Sequence, residues 1–429
     1  MVETAELVER IWERDPSVWT GRDEAQWLGW LDEPARMRER VHELMEHAAG
    51  VRVDDVVLLG MGGSSLAPEV MRRLFAAERF HVLDTTHPTA IRRLEASLDI
   101  KRTLFIAASK SGTTLETRTQ ADYFRALGGR FAVITDPGSP LAELSEDVFY
   151  GEPTIGGRYS ALSVFGILPA IFMGIDVDLL LDRAEEMREA CRLEQGNPGL
   201  ELGLQLARTS FLQVEGDFGL WVEQLVAEST GKEGKGIVPV RSGGESIEFR
   251  LPDPYELGQE FFRWEFGTAV AGSLLGINPF DQPDVQAAKD KTNEVLSGRG
   301  SGSDPWTRPE GSLDELLAEA TADHYVAILA FIDPTREAEL EPLARRAKET
   351  GAAVAVGLGP RYLHSTGQLH KGGPDNGLFV QVVDDLGEEL EIPGRPYGFR
   401  TLIAAQAAGD LEALKERGRK VCRVKLGDA

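Results

Sequence analysis

The feature that most constrains the fold is the stretch at 104–117, Leu-Phe-Ile-Ala-Ala-Ser-Lys-Ser-Gly-Thr-Thr-Leu-Glu-Thr. An apolar run typical of a buried strand stops at Ala108. Ser and Thr are good helix N-caps, so a helix can begin within 113–117. The stretch therefore predicts a loop between the carboxyl end of a strand and the amino end of a helix. Free N–H groups and the helix dipole favour a bound anion at such a place.

The loop at 109–114, called here the hydroxyl loop, is rich in groups that can bind phosphate. Its hydroxyl-bearing residues are Ser109, Ser111, Thr113 and Thr114. Lys110 adds a positive charge between the first two of them. Capping alone can explain any single Ser or Thr at the start of a helix. Four hydroxyls and one lysine within six positions favour a phosphate site over a capped, solvated turn.

The hydroxyl loop belongs to an alternating pattern of strands and helices. Buried strands are predicted at 56–59, 81–84, 103–107, 131–135 and 147–150. This alternation predicts a parallel, doubly wound sheet that binds its ligands beyond the carboxyl ends of the strands. The run Gly60-Met-Gly-Gly-Ser-Ser65, called here the glycine loop, follows the first strand as the hydroxyl loop follows the third. Both loops are predicted to contribute to one site.

The whole chain divides into three predicted parts. Residues 1–50 carry apolar side chains at helical spacing and are interpreted as packing helices. A first α/β domain is predicted at 51–185, with a long helix from 159 to about 173, and a second at 186–429. Residues 176–210 are predicted to be helical, and the composition of 296–311 predicts a flexible connector. Strand candidates in the second domain are 219–222, 236–240, 325–332, 352–357, 378–383 and 421–424.

Composition excludes several classes of partner. With 46 basic and 70 acidic residues the formal net charge is −24, which lacks the basic footprint that nucleic-acid binding needs. No apolar stretch reaches the ~18 residues of a membrane helix, and the acidic N-terminus lacks a signal-peptide core. Cys191 and Cys422 are expected to be reduced thiols of a soluble, cytoplasmic protein. No metal is expected, because the histidines and cysteines lack ligand spacing.

The glycine loop also admits a dinucleotide-binding interpretation. Asp84 ends the next predicted strand at nearly the right distance for a ribose hydroxyl. The dinucleotide fingerprint, however, places a third glycine where this chain has Ser65. A nicotinamide oxidoreductase is therefore the runner-up, and a Walker A loop is excluded because no Gly-Lys-Ser/Thr follows the glycines.

Taken together, the two loops resemble the sugar-isomerase (SIS) domain. Three further segments and one lysine extend the likeness: Gly156-Gly-Arg-Tyr-Ser160, Glu228-Ser-Thr-Gly-Lys232, Asn278-Pro-Phe-Asp-Gln-Pro283 and Lys289. The chain from about 55 to 425 thereby resembles the phosphoglucose isomerase family, most closely the isomerase half of bacterial transaldolase–isomerase fusions. About 50 residues precede the first strand, too few for a transaldolase barrel of about 250. The expectation is a free-standing isomerase.

The resemblance implies a role for each matching residue. The family's sugar-phosphate binders match Gly62, Gly63, Ser64, Ser109, Lys110, Ser111, Thr113, Thr114 and Gln282. Glu228 matches the carboxylate that moves a proton between C2 and C1, and Arg158 the group that stabilises the cis-enediolate. Lys289 matches a lysine used in ring opening. Taken singly, each could instead be a surface carboxylate, an ion-pair partner or a solvated helix residue.

The family's histidine segment is displaced in this chain. In the standard family Leu-His-Ser-x-Gly-Gln lies between the glutamate and the lysine, but residues 247–259 contain no histidine. Leu363-His-Ser-Thr-Gly-Gln368 instead follows Lys289. The simplest account is a circular permutation within the second domain, which neighbouring surface termini make tolerable. His364 is then the expected ring-opening acid–base group, because the pKa of a histidine lies near neutrality. The alternative is a histidine that caps a loop.

The resulting expectation is an α/β chain with two SIS-type doubly wound sandwich domains, the second permuted, and a site between them. It would interconvert glucose 6-phosphate and fructose 6-phosphate without cofactor or metal. The alternatives are an isomerase for mannose 6-phosphate or an amino-sugar phosphate, and a non-catalytic SIS sensor that would not need Glu228. A homodimer is also expected, because the standard family borrows its histidine from a partner subunit.

Overall fold

The computed structural model describes residues 4–247, 251–284, 286–297 and 308–428. Its strands are β1 (Asp55–Leu59), β2 (Phe80–Leu83), β3 (Thr103–Ala108), β4 (Arg130–Thr135), β5 (Val148–Tyr150), β6 (Phe211–Gln213), β7 (Val238–Val240), β8 (Glu245–Ser246), β9 (Tyr325–Phe331), β10 (Ala353–Leu358), β11 (Gly377–Val383) and β12 (Lys420–Lys425). Its α-helices are α1 (Thr4–Trp12), α2 (Glu33–Gly50), α3 (Leu66–Leu74), α4 (Pro88–Ser97), α5 (Leu115–Ala126), α6 (Val164–Phe172), α7 (Val177–Ala190), α8 (Pro198–Leu206), α9 (Gly219–Thr230), α10 (Leu257–Leu275), α11 (Gln286–Leu296), α12 (Leu313–Ala318), α13 (Glu341–Glu349), α14 (Gly367–Gly372) and α15 (Phe399–Glu416).

The first sheet has the order β2-β1-β3-β4-β5, and every pair in it is parallel. Val70 of α3 and Ile167 of α6 pack on one face, and Ile91 of α4 and Phe124 of α5 on the other. This confirms the predicted doubly wound sheet. Neighbouring strands β1 and β3 pair Leu59 with Ala107, so the glycine and hydroxyl loops leave the same edge side by side.

A layer of helices packs against the first sheet. Several of these helices lie outside the part of the chain that forms the sheet. One apolar core joins the N-terminal helices, the sheet and the buried residues of α8 and α10, with Trp30 and Phe262 in contact at a ring separation of 5.8 Å. The packing role of residues 1–50 remains a prediction. The predicted domain boundary at 185/186 falls inside α7 and remains a prediction.

A second parallel sheet, in the order β10-β9-β11-β12, forms the other α/β unit. Side chains along β9 alternate between two cores: Tyr325 and Ala327 face α15, whereas Val326 and Ile328 face α12 and α13. This alternation is the period of a strand whose two faces are both covered. A small parallel sheet, β7-β6-β8, lies between the two units in the chain.

Two sequence predictions are corrected by the structure. The predicted strand at 219–222 is the first turn of α9, because its apolar run continues into a helix buried on most sides, where short apolar runs do not distinguish helix from strand. The predicted long helix from 159 begins only at Val164, because the Ser163 hydroxyl accepts a hydrogen bond from the Phe165 N–H and caps it. Most of the predicted connector, 298–307, lies outside the described residues.

Two smaller features complete the description. Cys191 and Cys422 are buried and form no disulfide. Among the helices of the described residues, none has an apolar stretch of the length that a bilayer crossing requires.

Candidate active site

A cleft of about 600 Å³, called here the main cleft, opens at the carboxyl edge of the first sheet. Of the thirteen residues singled out in the sequence, eleven line it: Gly62, Gly63, Ser64, Ser109, Lys110, Ser111, Thr114, Glu228, Gln282, Lys289 and His364. Arg158 lies buried behind its wall. Thr113 lines an adjoining side cavity of about 330 Å³, which shares Ser111, Thr114, Lys289 and His364 with the main cleft.

The glycine loop is tightly packed rather than open. A Cβ atom on Gly62, whose φ is +55°, would lie 2.5 Å from the His364 carbonyl oxygen. A Cβ atom on Gly63 would lie 2.0 Å from the Gly157 carbonyl oxygen. Real side chains do not tolerate such distances, so only glycine fits at either position. The loop thus brings its own backbone directly against the segments that carry His364 and Arg158.

The hydroxyl loop is held by its own side chains. The Ser109 and Thr114 hydroxyls lie 2.8 Å apart, and the Gly112 N–H donates to the Ser109 hydroxyl at 3.1 Å. Thr114 occupies the N-cap position of α5, but its hydroxyl contacts Ser109 instead of a helix N–H. The N-cap hydroxyl therefore does not satisfy the N–H groups of the first turn of α5.

Lys110 is engaged differently from its neighbours in the loop. Its ammonium donates to an Asp136 carboxylate oxygen at 2.8 Å and to the Glu152 carbonyl oxygen at 3.1 Å. It also lies 5.3 Å from the centre of the Phe165 ring. The ion pair ties the hydroxyl loop to the segment after β4, so Lys110 orders the loop while lining the cleft.

Glu228 enters the cleft from the last turn of α9. One of its carboxylate oxygens accepts a hydrogen bond from the Gln224 amide at 3.0 Å, and the other lies 3.7 Å from an Arg158 nitrogen. The side chain is 12% exposed, which leaves an open path from the carboxylate to a bound molecule. Gln224 also donates to the His364 carbonyl oxygen at 2.9 Å, so it joins the two segments that flank the cleft.

Arg158 is a buried guanidinium with all its nitrogen atoms engaged. It donates to the Ser229 hydroxyl at 2.9 Å and to the Gln282 side-chain oxygen at 2.7 Å. Its remaining nitrogen donates to the carbonyl oxygens of Pro279 and Asp281 at 2.6 and 2.9 Å. The charge is thus fixed in place next to Glu228, and 278–283 is wrapped around it.

A second buried cation, Lys232, also binds the segment 278–283. Its ammonium donates to the Asn278 and Asp281 carbonyl oxygens and to the Asp281 carboxylate, at 2.6 to 2.8 Å. Burial lowers the pKa of Lys232 to about 8, against the opposing effect of Asp281. The family-like segments 228–232 and 278–283 are therefore parts of one hydrogen-bonded unit.

His364 reaches the cleft from the turn that follows β10. Its Nε2 atom lies 2.9 Å from a Glu116 carboxylate oxygen, and its side chain is 18% exposed. Burial acts to raise the pKa of Glu116, but His364, a backbone hydrogen bond and Lys289 together outweigh burial and lower it. Glu116 is thus an anionic acceptor that orients the histidine ring.

Lys289 and Gln282 lie on the outer side of the cleft. Lys289 is an exposed residue on α11 and lines both cavities. Gln282 is exposed and accepts the hydrogen bond from Arg158 described above. The cleft accordingly has two polar walls, one of backbone and hydroxyl donors and the other of ionisable groups.

Two further features concern the dinucleotide interpretation and metal binding. Asp84 lies outside the main cleft, 3.6 Å from Arg361, in a separate cavity that also contains Arg72 and Arg93. It therefore does not share a cleft with the glycine loop, as the dinucleotide interpretation requires. Among the described residues, no group of three or more His, Cys, Asp or Glu is arranged to hold a metal ion.

Two residues of the site were missed in the sequence. Gln224 precedes Glu228 by one helical turn, and this spacing places both on one face once the segment is recognised as a helix. Glu116 follows the hydroxyl loop directly, in the first turn of α5, where a carboxylate is favoured by the helix dipole alone. Its contact with His364, 248 positions away, distinguishes it from an ordinary helix start.

Comparison with known proteins agrees with this geometry. Residues 32–216 match the model of the phosphoglucose isomerase family. The chain is 36% identical over 233 residues to a glucose-6-phosphate isomerase from Thermus thermophilus, covering 48% of this chain and 56% of that protein. It is 24% identical over 372 residues to a probable glucose-6-phosphate isomerase from Methanococcus maripaludis, covering 63% and 84%. The match thus spans about half the length of the Thermus relative.

The fold is shared with a solved structure as well. A crystal structure of a glucose-6-phosphate isomerase from Chlamydia trachomatis superposes with a TM-score of 0.52 at 19% identity, covering 61% of this chain and 74% of that one. At this identity the likeness concerns the fold: an α/β chain with SIS-type parallel sheets.

Proposed function

We propose that the chain is a member of the phosphoglucose isomerase family, whose model matches residues 32–216, and that it interconverts glucose 6-phosphate and fructose 6-phosphate. The observation that carries the proposal is the convergence of Glu228, His364 and the hydroxyl loop on one cleft. An aldose–ketose isomerase needs an anion grip, an acid–base pair for the ring and a base that reaches two adjacent carbons. Each of these has a candidate in this cleft.

The phosphate of the sugar would bind at the edge of the first sheet. Hydroxyls of Ser64, Ser111 and Thr113 and the N–H groups at the start of α5 supply donors for its oxygens. The ammonium of Lys110, paired with Asp136, would contribute to the local field more than as a direct ligand. Such a grip fixes one end of an open-chain hexose, so its carbonyl end extends towards α9.

Ring opening would fall to His364 and Lys289. Because Glu116 holds the Nε2 atom of His364, the Nδ1 atom is the one left to exchange a proton with the sugar. One of the two groups would donate a proton to the ring oxygen, and the other would accept the proton of the O1 or O2 hydroxyl. The hemiacetal C–O bond then breaks and leaves a carbonyl and a new hydroxyl.

Isomerisation would then use Glu228 as the proton carrier. Its carboxylate would remove the proton from C2, and the C–H electrons would form the C1–C2 double bond while the carbonyl electrons move to O1. Arg158, 3.7 Å from Glu228, would stabilise the resulting cis-enediolate. The proton of the O2 hydroxyl would pass to O1, and the same carboxylic acid would return its proton to C1 as the C2 carbonyl forms. One carboxylate then serves both carbons and no cofactor is needed.

The circular permutation of the second unit is part of this proposal. Lys289 precedes His364 in the chain, the reverse of the order in the standard family. Both nevertheless line the main cleft together with Glu228. Rewired connections with an unchanged site would give this arrangement.

Location and assembly are proposed on the same basis. An isomerase of this activity would act in glycolysis and gluconeogenesis in the cytoplasm. A homodimer is proposed from the family resemblance, although His364 here reaches the cleft of its own chain. Sedimentation equilibrium of the purified chain would decide between monomer and dimer.

A coupled assay tests the activity. The purified chain is given fructose 6-phosphate, and glucose 6-phosphate is detected with a specific dehydrogenase. The expected result is turnover that Glu228→Gln abolishes and Glu223→Gln leaves intact, since Glu223 lies on the same helix but does not line the cleft. Binding without turnover would indicate a sensor, and faster conversion of mannose 6-phosphate or an amino-sugar phosphate a related isomerase.

A further inference from the structure

Behind His364, a chain of buried hydrogen bonds leads away from the main cleft. Glu116 Oε1, which faces His364, also accepts a hydrogen bond from the Gln406 amide nitrogen at 2.6 Å. The Gln406 amide oxygen accepts in turn from the Thr86 hydroxyl at 2.7 Å. Glu116, Gln406 and Thr86 are 5%, 2% and 0% exposed, so water competes little for these bonds.

The donors and acceptors in this chain can be ordered in only one way. An ionised carboxylate only accepts hydrogen bonds, so both Gln406 and His364 must donate to Glu116. The amide nitrogen of Gln406 therefore faces Glu116, and its oxygen must accept from Thr86. A carboxylate oxygen with two fixed donors has little freedom to rotate, and the histidine ring that shares it is fixed as well.

The three supporting residues come from three separate elements. Glu116 lies in the first turn of α5, Thr86 in the segment between β2 and α4, and Gln406 in the middle of α15. Gln406 lines the side cavity but not the main cleft, so it is not in position to touch a sugar bound beside Glu228. Its effect on bound substrate must pass through Glu116.

We infer that Gln406 is a positioning residue for ring opening: it fixes the Glu116 carboxylate and thereby the orientation and proton position of His364. This role rests on the proposed isomerase function. It also makes ring opening dependent on the docking of α15, a helix near the end of the described chain, against the first α/β unit.

The surroundings explain why a neutral amide suits this position. The charged groups that line the side cavity with Glu116 and His364 are Lys289 and Lys371, and Lys371 is already paired with Asp410 at 2.6 Å. A carboxylate in place of the Gln406 amide would have no N–H to donate. It could hydrogen-bond to Glu116 only if the two carboxylates shared a proton. An apolar side chain would leave the negative charge of Glu116 without its second donor, which favours a protonated histidine partner.

The first test measures the histidine directly and does not need activity. The chain has 7 histidines, and labelling them with ¹⁵N lets the His364 signals be assigned by their loss in His364→Asn. Gln406→Met should raise the titration midpoint of the His364 ring by about half a pH unit or more. The matched control is Gln120→Met, because Gln120 lies one turn from Glu116 and donates only to the Thr85 carbonyl oxygen, at 2.9 Å. An unchanged or lowered midpoint, or an equal effect of Gln120→Met, overturns the inference.

The second test is a double-mutant cycle on activity. Gln406→Met should lower kcat for the cyclic hexose phosphate about tenfold with little change in KM. In the His364→Asn background, Gln406→Met should lower kcat by less than about twofold, because the histidine through which Gln406 acts is absent. Equal losses in both backgrounds would indicate a merely structural role and overturn the inference.

A fallback variant and a separate readout keep the outcomes distinct. If Gln406→Met does not fold, Thr86→Val removes only the hydroxyl that orients the amide and should shift the His364 midpoint in the same direction, whereas Thr86→Ser should restore it. No shift with Thr86→Val would count against the inference. An inactive wild-type chain whose His364 midpoint still responds to Gln406 would reject the proposed function and keep the positioning role.

Discussion

The two walls of the main cleft are built in different ways. The anion-binding wall comes from two short loops that follow neighbouring strands, and the residues of each loop are consecutive in the chain. The ionisable wall gathers Glu228, Lys289 and His364 from three separate segments, with Arg158 buried behind Glu228. A contiguous wall can be formed by local backbone geometry, whereas the dispersed wall depends on how the two α/β units pack. The first should therefore govern affinity, and the second the rate.

The largest expected effect comes from the dispersed wall. Glu228→Gln keeps the size of the side chain but removes the base, so kcat should fall about 10³-fold while KM changes by less than about threefold. Steady-state assays with fructose 6-phosphate would measure both. A large rise in KM with kcat retained would reverse the assignment of the two walls.

The next effect tests the contact between the walls. Gly63→Ala places a methyl group where the Gly157 carbonyl oxygen lies 2.0 Å away, so the glycine loop and the segment of Arg158 must separate. We expect kcat and KM both to worsen, by about 10²-fold in kcat/KM, with a loss of about 1–3 kcal/mol in the free energy of unfolding. Gly50→Ala is the matched control, because nothing lies within 4 Å of the added atom and Gly50 does not line the cleft. Wild-type kinetics in Gly63→Ala would show that the two walls are independent.

A third prediction concerns His370, a buried histidine six positions after His364. His370 is 2% exposed among aromatic rings, and burial lowers its pKa to about 3. The unfolded chain binds this proton first, so stability falls as pH decreases from about 6.5 to about 3. At pH 4.5 the wild type should lose about 2–3 kcal/mol more, relative to pH 7, than His370→Met. Urea unfolding at the two pH values measures this, and equal losses would contradict it.

The smallest effect comes from the contiguous wall. Ser111→Ala removes one hydroxyl donor that lines the cleft. We expect KM for fructose 6-phosphate to rise about three- to tenfold with kcat nearly unchanged, the size of one ordinary lost hydrogen bond. Ser97→Ala, an exposed hydroxyl outside the main cleft, is the control. A fall in kcat alone would indicate that the loop takes part in catalysis beyond binding.

The features that could be predicted from the sequence differ between the two walls in the same way. The hydroxyl loop and the first sheet were predicted from strand and cap patterns, because their causes are local. Glu228, Arg158 and His364 were identified by resemblance, not by pattern. Gln224 and Glu116 were missed, since their roles lie in bonds to His364 across 140 and 248 positions. The start of α9 was read as a strand because burial on most sides hides the helical period.

The close contact between Gly63 and Gly157 limits how a chain of this design can vary. Because no side chain separates the two backbones, the floor of the cleft has a fixed depth that ordinary substitutions cannot alter. Room for a bulkier sugar would have to be found at the outer rim, where Gln282 and α11 are exposed. Variation in substrate range should therefore concentrate at that rim and leave the floor unchanged.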